Sequence, residues 1–229
     1  MIRGIAFDLE GTAVDVERAH HDARLQAARE VGVEITFEEA ISKIPGFVGG
    51  SWEEVAQSIW RLSDGCRDPG EIFELIKVHF QRRLATIRGD ITRPGFRTFV
   101  HEARDLGLSV AIGSSTPFWQ AQRLLAMSRL SEIFDGSHIV LGDDVVKRKP
   151  DPEVYRLTAQ RMGIPTNEQI VFDDSPHGIR AAVSAGSVAY GTPVYTNPHL
   201  FSMLLEAGAE EIFLDWGEID LLELIQSHQ

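Results

Sequence analysis

A single cysteine among 229 residues leaves no partner for an intrachain disulfide. Cys66 stands in the polar stretch SDGCRDP with no histidine near it, so a thiol nucleophile is not expected either. Long apolar runs are also missing: nothing approaches the roughly 18 to 20 residues that span a bilayer. The opening MIRGIAFDLEGT reads as a core strand followed by acids rather than as a secretory leader, and a cytoplasmic protein is expected. Positive charge is scarce, with 22 Lys and Arg against 34 Asp and Glu and a net charge of -12. Such a chain repels polyanions, which argues against nucleic acid or an anionic membrane as partner. A small phosphate remains admissible, because local cations and backbone donors outweigh a distant field that salt screens over about 8 to 10 Å. There is no internal repeat. The glycine-rich PGFVGGS (45–51) lacks the flanking strand and the Lys-Ser/Thr ending of a nucleotide phosphate loop, and is read as a mobile loop.

What is present is 43% hydrophobic residues, enough for one large domain or two smaller ones. Short apolar runs recur at GIAFDL (4–9), SVAIGS (109–114), HIVLG (138–142), QIVFDD (169–174), SVAYGT (187–192) and EIFLD (211–215), as in strands buried on both faces. Helical patterns lie between most of them. Thr116-Pro117, Asp151-Pro152 and Ser175-Pro176 each set a capping side chain before a proline at the first turn. Strand and helix alternate, which predicts a parallel sheet. The rhythm breaks between the first two strands, where apolar residues recur at helical spacing (Leu25, Ala28, Val31; Val55, Ile59, Leu62; Ile72, Leu75, Ile76, Phe80). The fold class expected is α/β: a Rossmann-like parallel-sheet core from 1–15 and 90–229, with an all-helical cap inserted at 16–89. The two crossings between them form a pair of linkers, as in a lid that hinges over a cleft.

The chemistry gathers at strand ends. Asp8 and Glu10 are two apart on an extended chain and point the same way, where the first strand opens into Gly11-Thr12. The second strand ends in Ser114-Ser115-Thr116, hydroxyls and amide donors at a helix start that suit a phosphoryl oxygen. Asp173 and Asp174 close the fourth buried run, and two adjacent acids there call for a cation. Lys149 supplies a positive side chain in the loop after the third. Ligands bind at the carboxyl ends of parallel strands, so these residues form one constellation.

FDLEGTAVD, AIGSSTP, KPDPEVY and VFDDSPHGIRAAVSAG resemble, in order and spacing, the four motifs of the haloacid dehalogenase-like hydrolase superfamily. The likeness runs from residue 4 to 186 and is greatest to its beta-phosphoglucomutase and small-metabolite phosphatase branch, which carries a helical cap at the same place. The resemblance implies Asp8 as the nucleophile that takes the phosphoryl group from a small phosphorylated metabolite. Such a carboxylate is already ionised at neutral pH and needs only its repulsion with the phosphate offset. It implies Mg²⁺ on Asp8, the backbone carbonyl of Glu10 and Asp174, with Asp173 as a direct or outer partner. Lys149, Ser114 and the Ser115 amide would hold the transferring oxygens. Glu10 would be the general acid and base, where most relatives have Asp; the enolase-phosphatase branch also shows D-x-E-G-T, although KPDPEVY and DDSPHG look less like that branch.

The resemblance disfavours dehalogenation, since that branch has an uncharged aromatic residue where this chain keeps Glu10. Mutase relatives place an arginine in the first cap loop, where Pro45 to Trp52 contains no cation, so hydrolysis is expected over phosphosugar transfer. Substrate choice is assigned to the cap, around Gly46, Phe47 and Ser51, with His20 at the hinge position and Lys77 and His79 toward a substrate's far end. Trp52 and Trp60 are read as cap core, and His21 as helix surface. Two other readings are a phosphoacceptor signalling domain, whose acid pair and acceptor occur in the reverse order, and a catalytically weak regulatory member, motivated by Glu10. Monomer and homodimer both fit the sequence.

Overall fold

The computed structural model describes every residue except Gly49, Cys66 and Gln229. The expectation about the lone cysteine therefore lies outside the described residues, as does Gly49 of the glycine-rich loop. The chain divides into two compact units, one of 1–15 with 90–229 and one of 16–89. Among the described residues no helix is long and apolar enough to cross a membrane.

The first unit is built on a parallel sheet of β1 (Gly4–Phe7), β2 (Ser109–Gly113), β3 (Ile139–Val140), β4 (Gln169–Asp173) and β5 (Val188–Gly191), in the order β3-β2-β1-β4-β5. All of β1 and β4 is buried, which is why they read as unbroken apolar runs rather than alternating ones. The chain winds outward from β1 through β2 to β3, then crosses back to β4 and β5. The order thus reverses at β1, and the crevice beyond the carboxyl ends of β1 and β4 is the place such sheets use for ligands. Helices α5 (Phe96–Asp105), α6 (Phe118–Met127), α7 (Glu153–Met162), α8 (Pro176–Ala185), α9 (Pro198–Glu206) and α10 (Leu221–Gln226) complete the unit. An aromatic cluster anchors it: Phe7 stacks on Phe172 at 5.8 Å and meets Phe96 edge-on at 5.1 Å, while Trp216 lies 4.9 Å from Phe99.

Two expected strands are shorter or missing. β3 keeps only two residues, because His138 ends a 3-10 turn and Gly142 turns its N–H toward the Thr116 carbonyl. EIFLD forms one isolated bridge, Gly191 opposite Ile212, before Asp215 caps a 3-10 turn over Trp216–Glu218. Of the three expected caps, Ser175 accepts from the Gly178 N–H at 3.0 Å and Asp151 accepts from the Glu153 N–H at 3.1 Å. Thr116 caps nothing; its hydroxyl goes elsewhere, as described below.

The helical unit consists of α1 (Glu17–Glu30), α2 (Phe37–Lys43), α3 (Trp52–Leu62) and α4 (Pro69–Thr86), with α4 packed on both α1 and α3. Thr36 with Glu39, and Asp68 with Glu71, form reciprocal caps, and Pro69 takes the first turn of α4, where its missing N–H is harmless. Ala28, Ile41, Val55, Ile59, Ile72 and Ile76 build its core. Leu62, at the end of α3, is 45% exposed and not part of the apolar face expected for it.

Phe47 and Gly50 are tied from beneath. Phe47 is 1% exposed and stacks on His21 at 5.2 Å, and the Arg24 guanidinium donates to the carbonyls of Phe47 and Gly50. Phe47 is therefore a core residue, correcting the expectation that it faces substrate. Phe47→Ala is expected to lower the unit's stability by about 3 to 5 kcal/mol, read in urea melts. An unchanged midpoint would contradict that placement.

Candidate active site

Asp8 leaves the end of β1 with its N–H donating to the Phe172 carbonyl at 2.9 Å, and the register of Phe7 opposite Phe172 sets Asp8 beside Asp173. The Lys149 ammonium lies between them, 2.5 Å from Asp8 Oδ1 and 2.8 Å from Asp173 Oδ2, with all three side chains nearly sealed from solvent. Burial alone would lower the Lys149 pKa, but Asp173 and Asp8 outweigh it and raise the value, so the lysine is a fixed cation. Burial, with Asp173 and Glu10 nearby, pushes the Asp8 carboxyl up from 3.8 to about 7 in spite of Lys149.

That shift gives a testable pH dependence for the metal-free protein. Folding favours protonated Asp8, so its contribution to stability is complete below about pH 4 and is lost as pH rises through about 7. In EDTA, Asp8→Asn is expected to raise Tm more at pH 8 than at pH 5. A difference independent of pH would contradict the shift.

Asp173 is fully engaged. Its Oδ2 accepts from Lys149 and from the Tyr155 hydroxyl at 2.5 Å; its Oδ1 accepts from the Ser175 N–H at 2.9 Å and hydroxyl at 2.8 Å. Four donors use the lone-pair directions of one carboxylate, so of the direct and outer roles expected of Asp173 this arrangement suits the outer one, in which it orients Lys149. Gly178 permits this approach, since a Cβ there would overlap the Asp173 carboxylate. Tyr155 also places its ring 4.7 Å from the Lys149 ammonium. Burial and the Asp173 charge hold its phenol well above 10, keeping it a donor.

Asp174 folds over Gly11, which has φ 87° and no room for a Cβ, and accepts from the Thr12 hydroxyl at 3.4 Å. Buried Arg93 fixes the same turn from behind, donating to the Gly11 carbonyl at 2.9 Å and the Leu214 carbonyl at 2.6 Å. Among the described residues no three His, Cys, Asp or Glu side chains are gathered as a cation cage. The donor set nevertheless fits magnesium, which keeps several waters and needs only one or two carboxylates. Asp8 and Asp174 qualify with the Glu10 main-chain carbonyl, and the charges of Asp8, Glu10, Asp173 and Asp174 exceed those of Lys149 and Arg93 by two.

Glu10 turns its carboxylate toward α6. Its Oε1 accepts from the Thr116 hydroxyl, and Gln120 Nε2 donates to Oε1 at 2.9 Å and Oε2 at 3.0 Å. Ser114, 2% exposed, shares a hydrogen bond with the Thr116 hydroxyl at 3.0 Å, and the Ser115 hydroxyl accepts from the Lys149 N–H at 3.3 Å. The structure thus brings Asp8, Lys149 and Asp173 into direct contact and joins Glu10 to Ser114 through Thr116.

The family model for haloacid dehalogenase-like hydrolases matches residues 2–186, most of the chain. The chain belongs to this family. Among its members, the phosphorylated carbohydrates phosphatase of Thermotoga maritima is 29% identical over 209 residues, covering 91% of this chain and 92% of that protein. The crystal structure of a CbbY variant from Rhodobacter sphaeroides with xylulose-(1,5)bisphosphate is 26% identical, with a TM-score of 0.69 over 96% of this chain and 97% of that one. The beta-phosphoglucomutase of Clostridium difficile shares the fold at 20% identity, with a TM-score of 0.75 over 100% and 97% of the two chains.

Within this family member, the residues expected of the helical unit have local partners. His20 is 4% exposed and stacked face to face on Phe80 at 4.0 Å. His21, expected at the surface, is also buried and lies 3.3 Å from Glu17. Trp52 packs on His20 and Phe80, whereas Trp60 is 37% exposed and not core. Ser51 caps α3 by accepting from the Glu54 N–H at 3.1 Å, and Gly46 takes φ 74° beneath the Glu54 side chain. Lys77 pairs with Glu74 at 3.3 Å and His79 with Glu30 at 3.0 Å. Sequence reasoning missed Gln120, Tyr155 and Arg93. Tyr155 lies inside the recognised KPDPEVY segment and could have been found there; Gln120 and Arg93 carry no local signal.

Proposed function

We propose that this chain is a magnesium-dependent phosphatase that hydrolyses a small phosphorylated metabolite, a sugar phosphate or similar monoester, through an aspartyl phosphate formed on Asp8. The observation that carries this reading is the buried Asp8–Lys149–Asp173 contact at the carboxyl end of the central strand. A charged lysine beside Asp8 favours the ionised carboxylate that attacks and offsets its repulsion with a phosphate dianion. At an effective dielectric near 20, two like charges at about 4 Å repel by about 4 kcal/mol, so the site needs strong compensation.

Asp8 Oδ attacks phosphorus, and the ester oxygen leaves with a proton from Glu10. Water then attacks phosphorus of the acyl phosphate, returning its proton to Glu10 and releasing phosphate and free Asp8. Lys149, the Ser114 hydroxyl and the Ser115 amide hold the phosphoryl oxygens as charge spreads. When bound by Asp8, Asp174 and the Glu10 carbonyl, magnesium neutralises phosphoryl charge. The names of the relatives favour a phosphorylated sugar, and the cationless loop at 45–52 favours hydrolysis over mutase chemistry.

A phosphate-release screen of sugar phosphates with Mg²⁺ and with EDTA tests this reading. Magnesium-dependent release is expected. Isomerisation of beta-glucose 1-phosphate to glucose 6-phosphate would favour the mutase instead. Silence across the panel from folded protein would favour a regulatory member.

A further inference from the structure

Glutamate has one methylene more than aspartate, and the additional torsion lets the Glu10 carboxyl sample more positions than proton transfer tolerates, since donor and acceptor must meet within about 3.2 Å. The chain meets that requirement with its own residues. Gln120, on the first turn of α6 and 2% exposed, spans both carboxylate oxygens at 2.9 and 3.0 Å, and the Thr116 hydroxyl donates to Oε1. Resting on the assignment of Glu10 as the acid and base, we propose that Gln120 and Thr116 are positioning residues that clamp the Glu10 carboxylate for proton transfer.

The chemistry of the clamp suits a group that must both give and take a proton. A lysine or arginine here would lock Glu10 as an ion pair and oppose its protonation. A primary amide is neutral and can donate to one oxygen while the other carries the proton. The Thr116 hydroxyl can reverse. It donates to ionised Glu10, and it accepts from protonated Glu10 while turning its own hydrogen to Ser114 Oγ, 3.0 Å away. Neither partner has to move when Glu10 changes state, and the preorganised contact spares the reaction a reordering step.

The test uses the full chain with Mg²⁺ and two esters of one shape, phenyl phosphate and 4-nitrophenyl phosphate. The second leaves readily without a proton, so only the first depends on a well-placed acid. Gln120→Met keeps the volume and removes the donor. It is expected to lower kcat/KM about 10-fold on phenyl phosphate and less than about 3-fold on 4-nitrophenyl phosphate. In a Glu10→Gln background the same change is expected to cost less than about 2-fold on either ester. Thr116→Val should behave like Gln120→Met, and Thr116→Ser, which keeps the hydroxyl, should restore most of the rate. An equal loss on both esters, no loss, or a gain would overturn the clamp, and Thr116→Val carries the test if Gln120→Met does not fold. If Glu10→Gln itself fails to separate the esters, the acid–base assignment of Glu10 falls instead, a result distinct from failure of the clamp.

Discussion

Asp8→Asn is expected to reduce phosphate release by at least about 10⁴-fold while leaving the protein folded, because an amide cannot serve as the nucleophile and no other group can replace a covalent acceptor. The fold should tolerate the change, since the carboxyl is already held near pH 7 by burial and removing its charge relieves repulsion with Asp173 and Glu10. Loss of activity with equal or higher Tm is the expected pair of results. Residual turnover within about 10-fold of the parent would remove Asp8 from the chemistry.

Lys149→Met is the second large effect, and it strikes both stability and rate. The ammonium is the charge that lets Asp8 and Asp173 share a buried site, at 2.5 and 2.8 Å. Removing one partner of a buried ion pair leaves uncompensated charge and is expected to cost about 3 to 5 kcal/mol at neutral pH, read in denaturant melts. Loss of a preorganised cation at the transferring oxygens should lower kcat by about 10² to 10³-fold or more. The stability deficit should shrink as pH falls through about 7, where Asp8 takes up its proton, and a deficit constant from pH 5 to 8 would mean that Lys149 acts through packing alone.

The parts of the fold and site legible in the sequence are those set by short-range rules. Buried parallel strands leave continuous apolar runs, so β1, β2, β4 and β5 are readable, and the acids of the site lie at or just beyond the ends of β1 and β4. Edge pieces are not: EIFLD has the composition of a strand but forms one bridge, at Ile212, because its own last residue, Asp215, already caps the next turn. Thr116 before Pro117 satisfies the local rule for a helix cap, yet its hydroxyl serves Glu10, more than 100 positions earlier in the chain. Gln120 and Arg93 were invisible for the same reason, since their meaning depends on what the sheet brings opposite them. His21 shows the converse error: a histidine on a helix suggests surface, but Phe37 and Phe47 enclose it.

Trapping the covalent intermediate is the most direct measurement. Protein turning over a sugar phosphate with Mg²⁺ is quenched and treated with borohydride, which reduces an aspartyl phosphate to homoserine, and the modified residue is located by mass spectrometry. The proposed mechanism requires homoserine at position 8, absent without substrate and diminished in EDTA. Steady phosphate release with an unmodified Asp8, or with the label on another residue, would contradict it.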